Sequence, residues 1–167
     1  MIELKSLNFE NLYSVLQLNP NESQKEFVEE VTTTIALAYA GLMEKCEGEL
    51  CIIYNNNEPV GVILIGKSIV GQQEPCILQK YNYVYRLMGF FIDYKHQNQG
   101  IGKKALKLVL NKIEEFQGEK TIPIVLEVKE ENNSAIKLYE SFGFYDTGTR
   151  YGNDCAFVRI PHTEEKL

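Results

Sequence analysis

The chain contains no Cys-x-x-Cys pair, only two histidines and no apolar run long enough to cross a bilayer. Each absence removes a class of function. None of the cysteines Cys46, Cys51, Cys76 and Cys155 adjoins His96 or His162, so zinc-ligand spacing is missing and no metal is expected. With 167 residues the chain can be stabilised by a core, which makes a disulfide framework unnecessary. The cysteines therefore read as small buried hydrophobes in a reducing compartment. Residues 1–6 lack the apolar region of a secretory signal, and nothing approaches the roughly 20 apolar residues of a membrane span. The expected setting is cytoplasmic, without a membrane partner, so Asn21-Glu22-Ser23 and Asn132-Asn133-Ser134 carry no weight as glycosylation acceptors. Positive charge is also in deficit: the net charge is -6. A nucleic-acid binder needs a basic face to displace counterions, so that partner is excluded. An acidic chain does suit a cationic substrate, which its field would concentrate.

What is present is one domain, with 44% hydrophobic and 24% charged residues and no linker, repeat or low-complexity stretch across 1–167. Ile2, Leu4 and Leu7 predict a short strand. Asn8 is placed to cap a helix carrying Phe9, Leu12, Val15 and Leu16. A long helix is predicted over 22–45, with Phe27, Val31, Ile35, Ala38 and Leu42 on one face. Strands over 50–54 and 60–65 follow, joined by an asparagine-rich turn, and 66–75 reads as a loop. Residues 81–93 predict a long strand and 103–116 a helix ended by Gly118. The apolar run 122–128 predicts a strand covered on both faces. A short helix over 134–142 and two strands around Tyr151-Gly152-Asn153-Asp154 complete a β-α-α-β-β-β-α-β-α-β-β order. The class is α/β.

The segment Phe90-Phe91-Ile92-Asp93-Tyr94-Lys95-His96-Gln97-Asn98-Gln99-Gly100-Ile101-Gly102-Lys103-Lys104 carries the first chemistry. A strand enters a polar loop, and a helix starts at the glycines. The first amides of a helix lack internal partners and sit at its positive end. Glycine lets backbone approach an anion closely. Lys103 and Lys104 stand where helices prefer acids, and a bound anion explains that inversion. Gly100-Ile101-Gly102 alone is also what helix–strand packing uses. The spacing matches neither a P-loop nor a complete Gly-x-Gly-x-x-Gly fingerprint.

Some thirty residues later stands Asn132-Asn133-Ser134-Ala135-Ile136-Lys137-Leu138-Tyr139-Glu140-Ser141-Phe142-Gly143-Phe144. Gln97-x-x-Gly100-x-Gly102, followed by Asn132-x-x-Ala135-Ile136-x-Leu138-Tyr139-x-x-x-Gly143-Phe144, resembles the GNAT superfamily of N-acetyltransferases over residues 81–144. The resemblance implies a single mixed central sheet flanked by helices, in which two neighbouring parallel strands splay apart to hold acetyl-CoA. It places the backbone of Phe91 and Ile92 at the pantetheine arm and acetyl carbonyl. The amides of Gln97, Asn98, Gln99, Gly100, Ile101, Gly102 and Lys103 fall at the pyrophosphate, and Asn132 and Ala135 at the pantetheine. Tyr139 falls near the coenzyme sulfur, where a phenol protonates a leaving thiolate. Packing within a short helix is the other use of Tyr139. An amine arrives largely protonated, and Glu127, which alternates with Leu126 and Val128, is the candidate base; an exposed strand-end charge is its other reading.

Gln24-Lys25-Glu26-Phe27-Val28, Ala36-Leu37-Ala38-Tyr39-Ala40, Pro59-Val60-Gly61 and Tyr85-Arg86-Leu87-Met88 are similar to the diamine and spermidine/spermine acetyltransferase branch. The implied acceptor is a small polyamine, with Glu22, Glu26, Glu29 and Glu30 as cation contacts or simply a solvated helix face. Gly89-Phe90-Phe91 interrupts the branch pattern before Ile92-Asp93, which leaves access to the acetyl-binding strand open. The likeness also implies a homodimer. Acetylation of a protein or peptide, and a noncatalytic acetyl-CoA-binding module, are the competing functions.

Overall fold

The computed structural model describes residues 1–20, 22, 25–117 and 122–161. The strands are β1 (Ile2–Ser6), β2 (Gly48–Asn55), β3 (Glu58–Ile69), β4 (Tyr83–Ile92), β5 (Ile124–Lys129), β6 (Tyr145–Tyr151) and β7 (Asp154–Arg159). The helices are α1 (Leu12–Val15), α2 (Val31–Met43), α3 (Ile101–Gln117) and α4 (Asn133–Glu140). Their order along the chain is the one the patterning predicts. Among the described residues seven strands join one sheet, ordered β1-β2-β3-β4-β5-β7-β6, in which only β4 and β5 run parallel. The helix α3 is the crossover that parallel neighbours require.

Local sequence explains the joints. Asn56 and Asn57 sit at φ 50° and 70°, the left-handed pair of a two-residue hairpin that asparagine tolerates. Asn132 caps α4, its side-chain oxygen accepting from the Ala135 amide at 3.2 Å. Along α3, the buried Ile101, Ala105, Leu106, Val109, Leu110 and Ile113 form one stripe. That stripe packs with Tyr85, Leu87, Leu126 and Phe157 of the sheet. On the other face, Val15 and Val31 of the first two helices cover Ile52, Val62, Leu64 and Phe91.

Several expectations need correction. The long helix begins only at Val31, with Glu30 extended before it (ψ 147°). Phe27 does not prolong its packed face but lines a hollow described below, whereas Val28 borders the same hollow and packs against the Val15–Val62 cluster. Leu42, expected on the packed face, is 71% exposed, and Phe9 is 92% exposed beside an α1 of only four residues. Asn8 does bind the amides of Glu10 and Asn11, in a tight turn ahead of that helix. The third helix starts at Ile101, two residues early, and β3 runs on to Ile69 into the expected loop. Cys51 and Cys155 are buried as expected, whereas Cys46 and Cys76 are exposed. Gly118, Asn21, Ser23, Gln24 and His162 lie outside the described residues.

Candidate active site

Hydrogen bonding between β4 and β5 covers Tyr85↔Ile124, Arg86↔Val125 and Leu87↔Leu126, and then stops. The cause lies on the other edge of β4. Leu64 of β3 faces Met88 while Val62 faces Phe91, so three steps of one strand oppose two of the other. That is a β-bulge, which bends the strand bearing the extra residue. Gly89 occupies it at φ 57°, and a Cβ there would stand 2.4 Å from Thr34 Oγ1. Glycine is thus required twice, by its dihedral and by the close passage of α2.

The bend opens a cleft of about 610 Å³. Met88, Gly89 and Phe90 form one wall, Glu127, Val128 and Lys129 the other, and Asn132, Ala135 and Tyr139 of α4 close it. The bulge also shifts which side chains face which way. Phe91 is buried in the cluster beneath α1 and α2, and Ile92 packs against the α3 face. On β4 the cleft is lined by residues 86–90, and the side chains of Phe91 and Ile92 pack into the clusters on the two sides of the sheet.

The loop after β4 is braced by a residue the sequence reading did not single out. Asp93 is 5% exposed, and its carboxylate accepts from the amides of Asn19 (2.9 Å) and Lys95 (3.0 Å). A carboxylate directly after a strand and before a polar loop was the available signal. Gln97 donates through Nε2 to the Ile92 carbonyl at 2.8 Å, tying the loop back to the strand. Gln99 reaches the Lys95 carbonyl at 3.4 Å. Asn98 and Gly100 turn the chain at φ 60° and 71°. The Lys104 amide donates to the Gly100 carbonyl, so the amides of Ile101, Gly102 and Lys103 project from the open end of α3. No acid stands in that first turn. A Cβ on Gly102 would meet Ile92 and Leu138 at 3.8 Å, an ordinary contact, so packing alone does not demand glycine there. Outward amides, two exposed lysines and an opened strand pair fit an anionic, elongated donor.

Tyr139 and Glu127 meet the cleft from opposite faces of the sheet. Tyr139 belongs to the α3-side core, is 8% exposed, and stacks edge-on with Phe144 at 5.9 Å. Among the described residues no buried side-chain polar atom lacks a partner. The Tyr139 hydroxyl has no hydrogen bond among the described residues and so opens into the cleft. Burial raises its pKa well above the ordinary phenol value, which keeps it protonated at neutral pH. Glu127 is the one exposed residue of β5, on the same face as Arg86, since Arg86 registers with Val125 two residues before it. Partial desolvation raises the Glu127 pKa; the Arg86 charge opposes this, while Asp154 and Glu74 add to it.

The cleft lining is rich in acids. Glu26, Glu29, Glu30, Glu127 and Asp154 line the cleft with Lys25, Arg86 and Lys129. Each of those cations is paired: Lys25 with Glu22 at 2.7 Å, Lys129 with Asp154 at 3.2 Å, and Arg86 with Glu74. Arg86 also donates to Ser68 Oγ at 2.8 Å. Phe27, Val28, Leu37 and Met88 supply apolar surface among the acids. Gly61, read above as part of a branch signature, has a packing reason: a Cβ there would lie 2.4 Å from the Phe91 carbonyl oxygen. Among the described residues, no cluster of three or more His, Cys, Asp or Glu is placed to hold a metal. No described helix is long and apolar enough to cross a membrane.

The spermine/spermidine N(1)-acetyltransferase of Bacillus subtilis (strain 168) is 29% identical over 151 residues, which is 88% of this chain and 90% of that protein. A probable spermine N(1)-acetyltransferase of Bacillus subtilis subsp. natto matches to the same extent, 29% over 151 residues. Among solved structures, a Pyrococcus horikoshii OT3 protein superposes with TM-score 0.69 at 22% identity, covering 98% of this chain and 100% of its own. The ribosomal-protein-S18-alanine N-acetyltransferase from Escherichia coli superposes with TM-score 0.64 at 20% identity, over 100% and 99% of the two chains. At these identities the structural matches speak for the fold. The model of the acetyltransferase (GNAT) family matches residues 10–144, and the chain belongs to that family, as an N-acetyltransferase with acetyl-CoA as donor.

Proposed function

We propose that this enzyme acetylates a primary amine of a small polycation of the spermidine/spermine class, by direct attack of the amine on the thioester. One observation carries the reading: an opening through the sheet has an open-facing phenol on one face and a desolvated carboxylate on the other. Acetyl-CoA supplies the activated acetyl group. The amides of residues 97–103, with Lys103 beside them, receive the pyrophosphate, and Asn132 and Ala135 flank the pantetheine. The bulged stretch from Met88 to Ile92 offers backbone amides, released from β5, to the acetyl carbonyl. One such donor is typically worth roughly 3–4 kcal/mol against developing oxyanion charge.

Glu127 takes the proton that the incoming ammonium must lose. As the N–C bond forms and the C–S bond breaks, the attacking nitrogen sheds its second proton to solvent, and Tyr139 gives its proton to the departing sulfur and recovers one from solvent. Such positioned proton transfer contributes roughly 10²–10⁴-fold in rate. The acceptor class follows from the lining. Carboxylates separated by Phe27, Val28, Leu37 and Met88 match ammonium groups separated by methylenes. The polyamine enzyme of Bacillus subtilis is a relative over nearly the whole chain.

The test is thiol release from acetyl-CoA against spermidine, spermine, putrescine, amino acids, aminoglycosides and a Lys-bearing peptide, with wild type and Tyr139→Phe. Turnover fastest on polyamines, and reduced about 10²-fold or more by the substitution, is expected. A peptide as the best substrate would overturn the acceptor class. Unchanged turnover in Tyr139→Phe would remove the phenol from the mechanism.

A further inference from the structure

Glu74 stands outside the cleft, yet it holds the arginine that lines it. The segment between β3 and β4 is a compact turn. Leu78 is fully buried against Val84, Val125 and Val158, which fixes the turn to the face of the sheet that carries Arg86 and Glu127. Gln79 Nε2 donates to the carbonyls of Gly71 at 2.9 Å and Glu74 at 3.1 Å, so the turn closes on itself. The Tyr151 hydroxyl donates to the Gln73 carbonyl at 3.0 Å and lies 3.4 Å from Glu74 Oε2, which pins the turn to β6. The Glu74 carboxylate meets the Arg86 guanidinium there, with side chains only 11% and 23% exposed. Ser68 Oγ accepts from Arg86 Nε at 2.8 Å. The guanidinium is thus held by two residues that do not line the cleft.

Arg86 registers with Val125, so Glu127 is its diagonal neighbour on the same face. Diagonal neighbours in a sheet lie about 7–8 Å apart, within reach of a long side chain. A guanidinium keeps its charge at every working pH and takes a carboxylate as a two-pronged partner. A carboxylate in such a pair is a poorer base. Glu127 itself forms no hydrogen bond or ion pair among the described residues. The other groups around it are already committed. Lys129 of its own strand is paired with Asp154 of β7 at 3.2 Å, and Lys25 with Glu22 at 2.7 Å. Tyr139 of α4 and Tyr151 of β6 are phenols whose pKa burial raises, so both stay neutral. Glu26, Glu29 and Glu30 line the cleft ahead of α2 and add no cation. Arg86 is the cation whose pairing decides the state of Glu127.

We propose that Glu74 is a positioning residue of this site: by holding the Arg86 guanidinium and cancelling its charge, it leaves Glu127 a free carboxylate able to take a proton. The inference rests on the role of Glu127 as base given above. It gives the turn between β3 and β4 a part in the reaction although none of its residues lines the cleft. The charges act in opposite senses on Glu127: desolvation raises its pKa, the Arg86 charge lowers it, and Asp154 and Glu74 raise it. Removing Glu74 leaves Arg86 uncancelled and favours the Glu127 anion to lower pH. Removing Arg86 leaves Glu74 uncancelled and disfavours that anion.

The test is the pH profile of kcat/KM for the fastest amine of the panel above, in wild type, Glu74→Gln, Arg86→Gln and the double variant. The acidic limb is expected to move down by about one pH unit in Glu74→Gln and up by about one in Arg86→Gln. In Glu74→Gln/Arg86→Gln, which has neither charge, it should return close to the wild-type position. A turn with only a structural role would lower activity in both single variants without moving the limb in opposite directions. Carbon-13 NMR titration of the glutamate carboxyls, with the Glu127 signal assigned by its loss in Glu127→Gln, reads the same shifts without turnover. Either single variant suffices if the other does not fold, since each has its own required direction. A limb and a Glu127 titration that stay in place, or that move the same way in both variants, overturn the role of Glu74. An acidic limb that persists in Glu127→Gln would overturn the base itself, and the role of Glu74 with it.

Discussion

Gly89→Ala isolates the residue on which the cleft depends. The added methyl meets two separate penalties. At φ 57° an L side chain crowds its own backbone, at a cost of about 1 kcal/mol. It would also approach Thr34 Oγ1 at 2.4 Å and Thr34 Cγ2 at 2.7 Å, distances that force α2 or the bulge to move. Such overpacking costs about 1–3 kcal/mol. The sum, near 3 kcal/mol, corresponds to a fall in Tm of roughly 9 °C in a domain of this size. The two terms separate in a double-mutant cycle. Thr34→Ala removes both offending atoms and leaves only its Cβ, at 3.1 Å from the new methyl. In that background Gly89→Ala should cost only about 1–2 kcal/mol, a coupling of at least about 1 kcal/mol by urea unfolding. Strictly additive costs would refute the steric argument. Turnover supplies the second readout, because relief of the clash by straightening β4 moves Met88 and Phe90, one wall of the cleft. The KM for the amine should rise. A Gly89→Ala enzyme with wild-type stability and wild-type KM would show that the bulge is not what opens the strands.

Glu127→Gln should lower kcat about 10²-fold at neutral pH and remove the acidic limb of the pH–rate profile. In the wild type that limb should lie above the ordinary carboxylate range, because desolvation raises the Glu127 pKa and the carboxylate is the active form; an unaltered profile in the variant would place the base elsewhere. Tyr85 is fully buried, with its hydroxyl donating to Glu47 at 2.7 Å, and Tyr85→Phe should cost about 1.5 kcal/mol at neutral pH. Burial, and then the bond to Glu47, raise the phenol pKa in the folded state. Its contribution is therefore present below the unfolded phenol value of about 10 and lost as pH rises beyond it. Urea midpoints of the wild type should fall faster than those of Tyr85→Phe above that pH, and parallel curves would contradict the assignment.

The order of strands and helices was legible in the sequence because each element carries its own period. The α3 stripe from Ile101 to Ile113 recurs at helical spacing, and the run 122–128 is apolar throughout, so local pattern and tertiary burial agree. The loop after β4 and the start of α4 were legible for a related reason: turn and capping residues such as Asn98, Gly100 and Asn132 act over short spacings. Where pattern failed, a distant element had decided the outcome. Phe27 continues a helical period yet lines the cleft, and Leu42 continues it into solvent. Phe91 and Ile92 stood at the expected strand positions, but the extra residue at Gly89 exchanged the faces of everything after it. Only the folded chain could show that Thr34 and Gly89 touch, or that Glu127 and Tyr139 face one opening from two sides of the sheet. It alone collects Glu26, Glu29 and Glu30 with Asp154 in the cleft, and Lys107 with Arg159 in a second, basic hollow along α3, because these pairings join residues whose separation along the chain carries no period. The sequence alone determined the family chemistry, which lives in local backbone. Tertiary structure decided the shape of the cleft and the opposite charges of the two hollows, which depend on long-range packing.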